Sequence, residues 1–372
     1  MVYITMTRRL KHKSFLGVLA VTSLGLSIAI GVTYAAIPPK KFNSPTEKFI
    51  TQNMRNTNGT FSTYLKANTS DDPDIVAGRE ALSESLGLWL QYSEVKQDQL
   101  NFNQGYDLLT KHFLTPQNYI VWKLQADGVA NVQTNALGDD LRIVGNLLKG
   151  YEKWPEEKYL TTARVITETL QNSVQKNGYF VDFHDFNLNL STSTLSLVYA
   201  DITSLQLMRD HQLIDAATYE QYVNLLLYMP KEGAFFPKSF DVDSNKYSYE
   251  DDISLIDQLI VGIHLTAMGE EPEELLSFLK KEFKQQKRLY GRYNRLTQKP
   301  TVTYESPAVY GLGIILALKC DDQTLAKQLN NKMLSLRGKD AAYPGGYVFN
   351  KNTHIFDNLF PLIAEASLYS KK

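Results

Sequence analysis

Two separate acidic segments hold the side chains best suited to chemistry. Glu84 lies within residues 79–90, and Asp139 and Asp140 lie within residues 135–148. In both segments an acidic group opens an otherwise apolar helical pattern. A carboxylate at a helix N-terminus is favoured by the helix dipole and can face a cleft instead of the core. Two such carboxylates brought together by a fold are what acid/base cleavage of a glycosidic bond requires.

Glu84 is the better candidate for a general acid because its neighbours are apolar. Burial beside them would raise its pKa, and a carboxyl protonated at neutral pH can donate to a leaving glycosidic oxygen. Glu80 lies four residues earlier on the same helix face. An alternative is that both are ordinary acids of a first helical turn. The apolar neighbours are Leu82, Leu86, Leu88, Trp89 and Leu90.

Asp139 and Asp140 follow Gly138, where either could cap the next helix. Adjacent residues point in different directions, so one could cap while the other faces a cleft. A third acidic cluster, at 247–258, ends a long loop and leads into a strongly apolar helix. One acid there could be the base that orients water. Alternatively, all of them could do no more than interact favourably with the dipole of the following helix. Four further polar residues could have either a structural or a catalytic role: His184, Asp185, His354 and Asp357.

The composition excludes several function classes. With 39 basic and 40 acidic residues, the net charge of −1 provides no field for binding nucleic acid. The single cysteine, Cys320, permits neither an internal disulfide nor a cysteine-rich metal site. The sequence also has no Asp-rich calcium loop, nucleophile elbow, phosphate loop or dinucleotide fingerprint. We therefore expect no metal and no organic cofactor.

The N-terminus predicts export. An uncharged, mainly apolar run at 14–37 is long enough to span a bilayer, and its basic flank should stay in the cytoplasm. A small-residue site at 33–35 makes a cleaved signal peptide the alternative. We expect residues 1–37 to be a membrane anchor or signal peptide, 38–43 a linker and 44–372 a single domain. That domain would lie outside the cell membrane or be secreted.

The rest of the chain predicts an all-α protein, because apolar positions recur at three- and four-residue steps. Short strands are expected only near 178–186 and 343–349. The predicted helices lie near 44–55, 79–95, 98–114, 136–152, 156–176, 197–211, 214–229, 252–268, 272–286, 305–318, 321–335 and 354–370.

Short and long connections alternate between these helices. Six helical hairpins with short links on one side and long loops on the other would close into an (α/α)6 barrel, with a cleft over the end that carries the long loops. A generic multi-helix domain is the alternative.

Two of these segments resemble signatures of family eight of the glycoside hydrolases, the endoglucanase-like (α/α)6 enzymes. Residues 83–87 are similar to that family's Ser-Glu-Gly-Gln-Gly segment, which implies that Glu84 is the general acid. Residues 136–144, followed by an apolar helix that ends at Trp154, are similar to Ala-Thr-Asp-Ala-Asp-x-x-Ile-Ala. Gly138 replaces the first aspartate, and Asp140 matches the second, which implies a position near the sugar at the cleavage point.

The resemblance is weaker for the base. The family has a Tyr-Asp-Ala-x-Arg-like segment, and its counterpart at 249–252 lacks the arginine. Asp252 is the first choice for the base and Glu250 the second. The implied mechanism is inverting hydrolysis, with the acid and base carboxyls about 6.5–9.5 Å apart. Candidate sugar-stacking platforms are Trp122, Tyr199, Tyr249 and Tyr343.

The chain most resembles divergent, membrane-linked members of the family that are associated with exopolysaccharide operons. The expected function is an exported, endo-acting hydrolase of a bacterial exopolysaccharide. It would be a monomer and could work beside the membrane machinery that makes the polymer. One alternative is a catalytically weak glycan-binding or assembly protein on the same barrel. Another is a polysaccharide lyase, which would need an acidic substrate, although the sequence indicates no clear basic cleft.

Overall fold

The computed structural model describes residues 42–70, 72 and 74–371, so the predicted anchor at 14–37 lies outside the described residues. Twelve α-helices occur within the described part, at the places that the sequence periodicity predicts. They are α1 Pro45–Asn53, α2 Ser83–Val95, α3 Gln99–Leu108, α4 Leu137–Lys153, α5 Glu157–Thr169, α6 Ile202–Asp210, α7 Ala216–Leu227, α8 Leu255–Ala267, α9 Glu273–Gln286, α10 Pro307–Lys319, α11 Gln323–Leu336 and α12 Phe356–Ser370.

The even-numbered helices form a closed ring. Each contacts the next in chain order, and α12 contacts α2. The odd-numbered helices pack outside this ring: α3 on α2, α5 on α4, α7 on α6, α11 on α10 and α1 on α12. Leu275 of α9 packs against Gly262 of α8. The predicted (α/α)6 barrel is therefore confirmed for the described residues.

The amino-acid pattern explains which helices are inside. The helix α10 is apolar all round, and nearly all of its residues are buried, as expected for an element enclosed on every side. The helix α9 instead buries one stripe, containing Leu275, Leu276, Phe278 and Leu279, while its polar residues face outward.

Five inner helices, α2, α4, α8, α10 and α12, begin at the same end of the barrel, whereas the N-cap of α6, Asp201, lies 3.9 Å from His264 in the last turn of α8. At that end the hydroxyl of Ser83, in α2, contacts Asp139, in α4, and the hydroxyl of Ser306, before α10, contacts Asp357, in α12. At the other end, the hydroxyl of Ser370 contacts the Val95 carbonyl. Acidic residues in the first turns of these helices are thus collected on one face of the barrel.

Short antiparallel strands lie in the loops between helices. The strand directly before α2, β1 (Ala81–Leu82), pairs with β2 (Lys123–Leu124), which lies between α3 and α4. The strand directly before α8, β10 (Asp252–Ser254), pairs with β11 (Arg292–Asn294), which lies between α9 and α10. The strands are β1 Ala81–Leu82, β2 Lys123–Leu124, β3 Gln175–Lys176, β4 Tyr179–Phe180, β5 His184–Asp185, β6 Leu190–Ser191, β7 Thr194–Ser196, β8 Ser239–Asp241, β9 Lys246–Ser248, β10 Asp252–Ser254 and β11 Arg292–Asn294.

Two details differ from the sequence prediction. The strands expected near 178–186 are present as β4 and β5, but in 343–349 the structure has only an isolated bridge from Phe349 to Asn352. Residues 252–254 are a strand because they pair with β11, and α8 consequently begins three residues later than expected, at Leu255.

Gly311 provides a test of the packing between inner helices. A Cβ at this position of α10 would lie 2.6 Å from the backbone carbonyl carbon of Phe360 in α12. Gly311→Ala should lower the free energy of unfolding by about 1–3 kcal/mol, because backbone cannot move aside as a side chain can. Gly313→Ala is the matched control, since its Cβ would meet only the Leu329 side chain, at 3.0 Å. Denaturant unfolding of both variants checks the prediction, and equal losses would contradict it.

Candidate active site

The start of α2 fixes the position of Glu84. The β1–β2 pair holds the residues before this helix, and the backbone N–H of Ser83 donates to the Trp122 carbonyl at 3.0 Å. Glu84 follows directly, in the first helical turn, with a side chain that is 28% exposed. The carboxyl therefore reaches the surface from a firmly held backbone.

Asp139 and Arg142, both in α4, lie beside Glu84. The Ser83 hydroxyl donates to Asp139 Oδ2 at 2.5 Å. Arg142 Nη1 lies 3.6 Å from Asp139 Oδ1 and 3.9 Å from Glu84 Oε1. One guanidinium thus lies between two carboxyls that come from neighbouring inner helices.

The surroundings of these carboxyls favour a protonated Glu84. Burial raises the pKa of Glu84 to about 8, and the negative charges of Asp139 and Asp257 raise it as well, against the opposing effect of Arg142. Burial raises the pKa of Asp139 to about 6, while Arg142 and the hydrogen bonds from Ser83 and the Glu84 backbone oppose the change. Near neutral pH, Glu84 keeps its proton and Asp139 carries the charge.

Asp140 is placed differently from Asp139. Its side chain is enclosed, with the residue only 2% exposed, and Asn135 Nδ2 donates to Asp140 Oδ2 at 2.6 Å. Burial raises the pKa of Asp140 well above its ordinary value. The family register favours Asp140 as the aspartate near the sugar, whereas in the structure Asp139 shares Arg142 with Glu84, and Asp140 is enclosed and bonded to Asn135.

The two candidates for the base at 249–252 take part in ion pairs around β10. Arg292 Nε lies 2.6 Å from Asp252 Oδ2, and the Thr301 hydroxyl donates to Asp252 Oδ1 at 2.5 Å. These hydrogen bonds lower the pKa of Asp252, whose side chain is half exposed. Glu250 is paired with Lys238 and lies 3.9 Å from Arg292 Nη2. The charged groups that shift the pKa of Glu84 are instead Asp139, Arg142 and Asp257.

Among the acids of the 247–258 cluster, Asp257 is the one whose negative charge raises the pKa of Glu84. It lies in the first turn of α8, whose N-cap is Ser254. The Asp257 N–H donates to the Ser254 hydroxyl at 3.4 Å, and that hydroxyl donates to Asp257 Oδ1 at 3.0 Å. Burial raises the pKa of Asp257, with Glu250 raising it further and Lys238 and Arg292 opposing.

Sequence reasoning did not select Asp257 because it placed the start of the helix at residue 252. A signal was present, since Ser254 and Asp257 have the spacing of a capping box, in which a Ser or Thr N-cap precedes an acid by three residues. That pattern marks Leu255 as the first helical residue and puts Asp257 at the positive end of the helix dipole.

Two of the four predicted platforms line one cavity. Trp122 and Tyr199 belong to the walls of a space of about 410 Å³, together with Asn135 and Asp182. Tyr199 lies against the start of α4, where a Cβ on Gly138 would be 2.2 Å from the ring. Glycine is therefore required at 138 to let the tyrosine ring approach.

The other two predicted platforms are occupied by other contacts. The Tyr249 hydroxyl donates to the Pro230 carbonyl at 3.0 Å, and the Arg295 guanidinium lies 4.8 Å from the centre of its ring. Tyr343 packs edge-on against Phe49 of α1, with ring centres 5.8 Å apart. The structure thus does not bring these two rings to the Trp122–Tyr199 cavity.

The remaining polar pairs have structural partners. His184 Nδ1 lies 2.8 Å from the Ser191 hydroxyl, and the Asp185 carboxylate accepts from the N–H groups of the following turn. Burial lowers the pKa of His354 to about 4, and its Nδ1 accepts the Phe356 N–H. Asp357 accepts from the Ser306 hydroxyl and the Ala308 N–H at the start of α10.

Solved structures share this barrel. The chain is similar to an α-amylase from Clostridium perfringens, with a TM-score of 0.78, 24% identity, and coverage of 87% of this chain and 96% of that one. It is similar to PssZ from Listeria monocytogenes, with a TM-score of 0.70, 24% identity, and coverage of 88% and 97%. It is also similar to endoglucanase Cel10 from Klebsiella pneumoniae, a family 8 glycosyl hydrolase, with a TM-score of 0.60, 15% identity, and coverage of 88% and 99%.

The fold is accordingly the (α/α)6 barrel found in family 8 glycosyl hydrolases. The chain belongs to the same family as the Bacillus subtilis protein "Putative lipoprotein YdaJ", to which it is 36% identical over 330 residues, or 88% of this chain and 87% of that protein. No family model matches the chain. Within the described residues, none of the helices has the length and apolar character needed to cross a membrane.

Removal of the Glu84 carboxyl should reveal the cost of burying it. Its folded pKa of about 8 lies above the ordinary glutamate value, so the folded protein holds a proton that the unfolded chain releases. The free energy of unfolding therefore decreases as the pH rises from about 4 towards 8, because the unfolded chain gains stability by ionising Glu84 and the folded protein does not. Glu84→Gln should raise the Tm more at pH 8 than at pH 5.

Glu80→Gln is the control for this effect. Glu80 Oε1 lies 3.4 Å from the buried Nζ of Lys123, so the variant loses an ion pair and should lower the Tm at both pH values. Thermal unfolding at pH 5 and 8 measures both variants. A Tm gain for Glu84→Gln that is the same at the two pH values would contradict the assignment of the raised pKa.

Proposed function

We propose that this protein is a glycoside hydrolase that cleaves a polysaccharide with inversion at the anomeric carbon. Glu84 is the general acid, and Asp257 is the general base. The observation that carries the proposal is that the inner helices α2 and α8 each place an acid, Glu84 and Asp257, in the first turn, and that the negative charge of Asp257 contributes to the raised pKa of Glu84. Inverting enzymes need two carboxyl groups that face each other across a sugar and a water molecule.

Glu84 has the protonation state that the acid requires. Its proton passes to the glycosidic oxygen as the bond from that oxygen to the anomeric carbon breaks. The negative charge on Asp139 favours the protonated form of Glu84, and the Ser83 hydroxyl holds Asp139 at 2.5 Å. Asp139 therefore takes the position beside the cleavage point that the family register gave to Asp140.

Asp257 has the surroundings that a base requires. It takes a proton from water as the water oxygen bonds to the anomeric carbon. Lys238 and Arg292 favour its ionised form against the effect of burial. Asp252 and Glu250 become supporting residues in this proposal, because their ion pairs orient these two cations.

The substrate proposed is a bacterial exopolysaccharide outside the membrane, cut within the chain. The apolar run at 14–37 supports export, and the named Bacillus relative is called a lipoprotein. Two similar structures are named as an amylase and an endoglucanase, both of which act on polysaccharides. Anchored at its N-terminus, the protein would act on the polymer near the machinery that makes it.

The acid and the base can be tested by paired substitutions. Glu84→Gln and Asp257→Asn should each lower the release of reducing ends from extracted exopolysaccharide by about a hundredfold or more. Asp252→Asn should retain most of the activity. The circular dichroism spectrum of each variant confirms folding. If Asp252→Asn loses activity and Asp257→Asn keeps it, Asp252 is the general base. If the wild type releases no reducing ends from any polysaccharide, a binding function is favoured.

The pH dependence of kcat/KM should be bell-shaped. The alkaline limb should fall near pH 8, because Glu84 then loses the proton that it must donate. The acidic limb should lie above the ordinary aspartate range, because burial raises the pKa of Asp257. Asp139→Asn should move the alkaline limb to lower pH, since it removes a negative charge beside Glu84. An alkaline limb that is unchanged in this variant would contradict the role given to Asp139.

A further inference from the structure

We propose that the cavity lined by Trp122, Phe183 and Tyr199 is a subsite for an uncharged hexopyranosyl unit, with Phe183 as its exposed stacking platform. The cavity is about 410 Å³, a size typical of small-ligand sites. The inference rests on the proposed function for its class of ligand. It adds a binding residue, Phe183, and a charge preference.

The cavity walls are built from the segments that position the acid. The Trp122 carbonyl accepts the Ser83 N–H directly before Glu84. The Tyr199 ring packs on Gly138, directly before Asp139. Burial raises the pKa of Tyr199, and the negative charges of Asp139 and Glu84 raise it further. A sugar in this cavity would therefore adjoin the unit whose bond is cleaved.

Phe183 is held in an exposed position by its two neighbours. Asp182 accepts the Ser196 N–H at 2.6 Å and the Ser196 hydroxyl at 2.7 Å. The His184 N–H donates to Asn135 Oδ1 at 2.7 Å. Between these fixed points the Phe183 side chain is 45% exposed and lines the cavity.

An exposed phenylalanine on a rigid backbone forgoes hydrophobic stabilisation that it would gain in the core. Exposed apolar side chains that gather in a concavity mark binding sites. Trp122 and Tyr199 are two further aromatic residues that line the same cavity. Aromatic faces suit the C–H faces of pyranose rings, while the Thr134 hydroxyl in the same wall suits their hydroxyl groups.

The charge of the lining selects against acidic sugars. Among the described residues, those that line the cavity include two carboxylates, Asp74 and Asp182, and no Lys, Arg or His. A uronate would be repelled by these groups. An ammonium group would gain little, because Ser196 already occupies both oxygens of Asp182 and because Asp74 is exposed to solvent. An uncharged sugar fits these conditions best.

The test uses the full chain with Glu84→Gln, so that ligands bind without being cut. Maltohexaose and cellohexaose are the neutral probes, and hexamers of galacturonate and glucosamine are the charged ones. Calorimetry and tryptophan fluorescence measure binding. At least one neutral hexamer should bind more tightly than both charged ones, and adding Trp122→Phe should remove most of the fluorescence change.

Phe183→Ala, added to Glu84→Gln, should weaken binding of the neutral hexamer about tenfold. Leu188→Ala is the matched control, because Leu188 is also exposed on the turn between β5 and β6 but does not line the cavity. It should leave affinity unchanged. Equal effects of the two variants would overturn the role of Phe183.

The remaining outcomes also decide the inference. Tighter binding of either charged hexamer, or binding of neither neutral one, would overturn the subsite as assigned. Hydrolysis is measured separately, in the wild-type background. If Glu84→Gln and Asp257→Asn leave hydrolysis unchanged while Phe183→Ala still weakens binding, the catalytic proposal fails and the subsite stands.

Discussion

The face of the barrel where five inner helices begin depends on the cost of removing carboxylates from water. The positive ends of the helix dipoles favour negative charge there, whereas burial disfavours it. Each acid meets this conflict differently. Asp139 gains hydrogen bonds from Ser83 and from the Glu84 backbone, and Glu84 keeps its proton. A proton donor arises because neighbouring charges cannot all be ionised in one partly buried site.

The cations near these acids are distributed unevenly. Arg142 lies between Glu84 and Asp139, where it does not outweigh burial, so the pKa of Glu84 stays high. Lys238 and Arg292 both favour the ionised form of Asp257. Burial raises the pKa of both carboxyls proposed for catalysis, but two cations oppose the change at Asp257 and only one opposes it at Glu84. Unequal surroundings of this kind are how one site holds an acid and a base at the same pH.

The order of helices could be predicted from the sequence because it depends on local periodicity, and ring closure followed from the alternation of short and long loops. The start of α8 could not be found in this way. Residues 252–254 form a strand only because Arg292–Asn294 pairs with them, and that contact is remote in sequence. With the helix start at 252, Asp252 is the acid at the helix entry; with the start at Leu255, Asp257 lies in the first turn.

The choice between Asp139 and Asp140 had a similar cause. Adjacent residues of a helix point about 100° apart, so only the neighbouring helix decides which one faces the site. Here Ser83 selects Asp139, and Asn135 binds Asp140. The aromatic platforms also depended on remote partners, since Arg295 lies over the Tyr249 ring and Phe49 packs against Tyr343. Sequence patterns therefore identify the helix ends that carry chemistry, whereas tertiary contacts decide which side chain at each end can perform it.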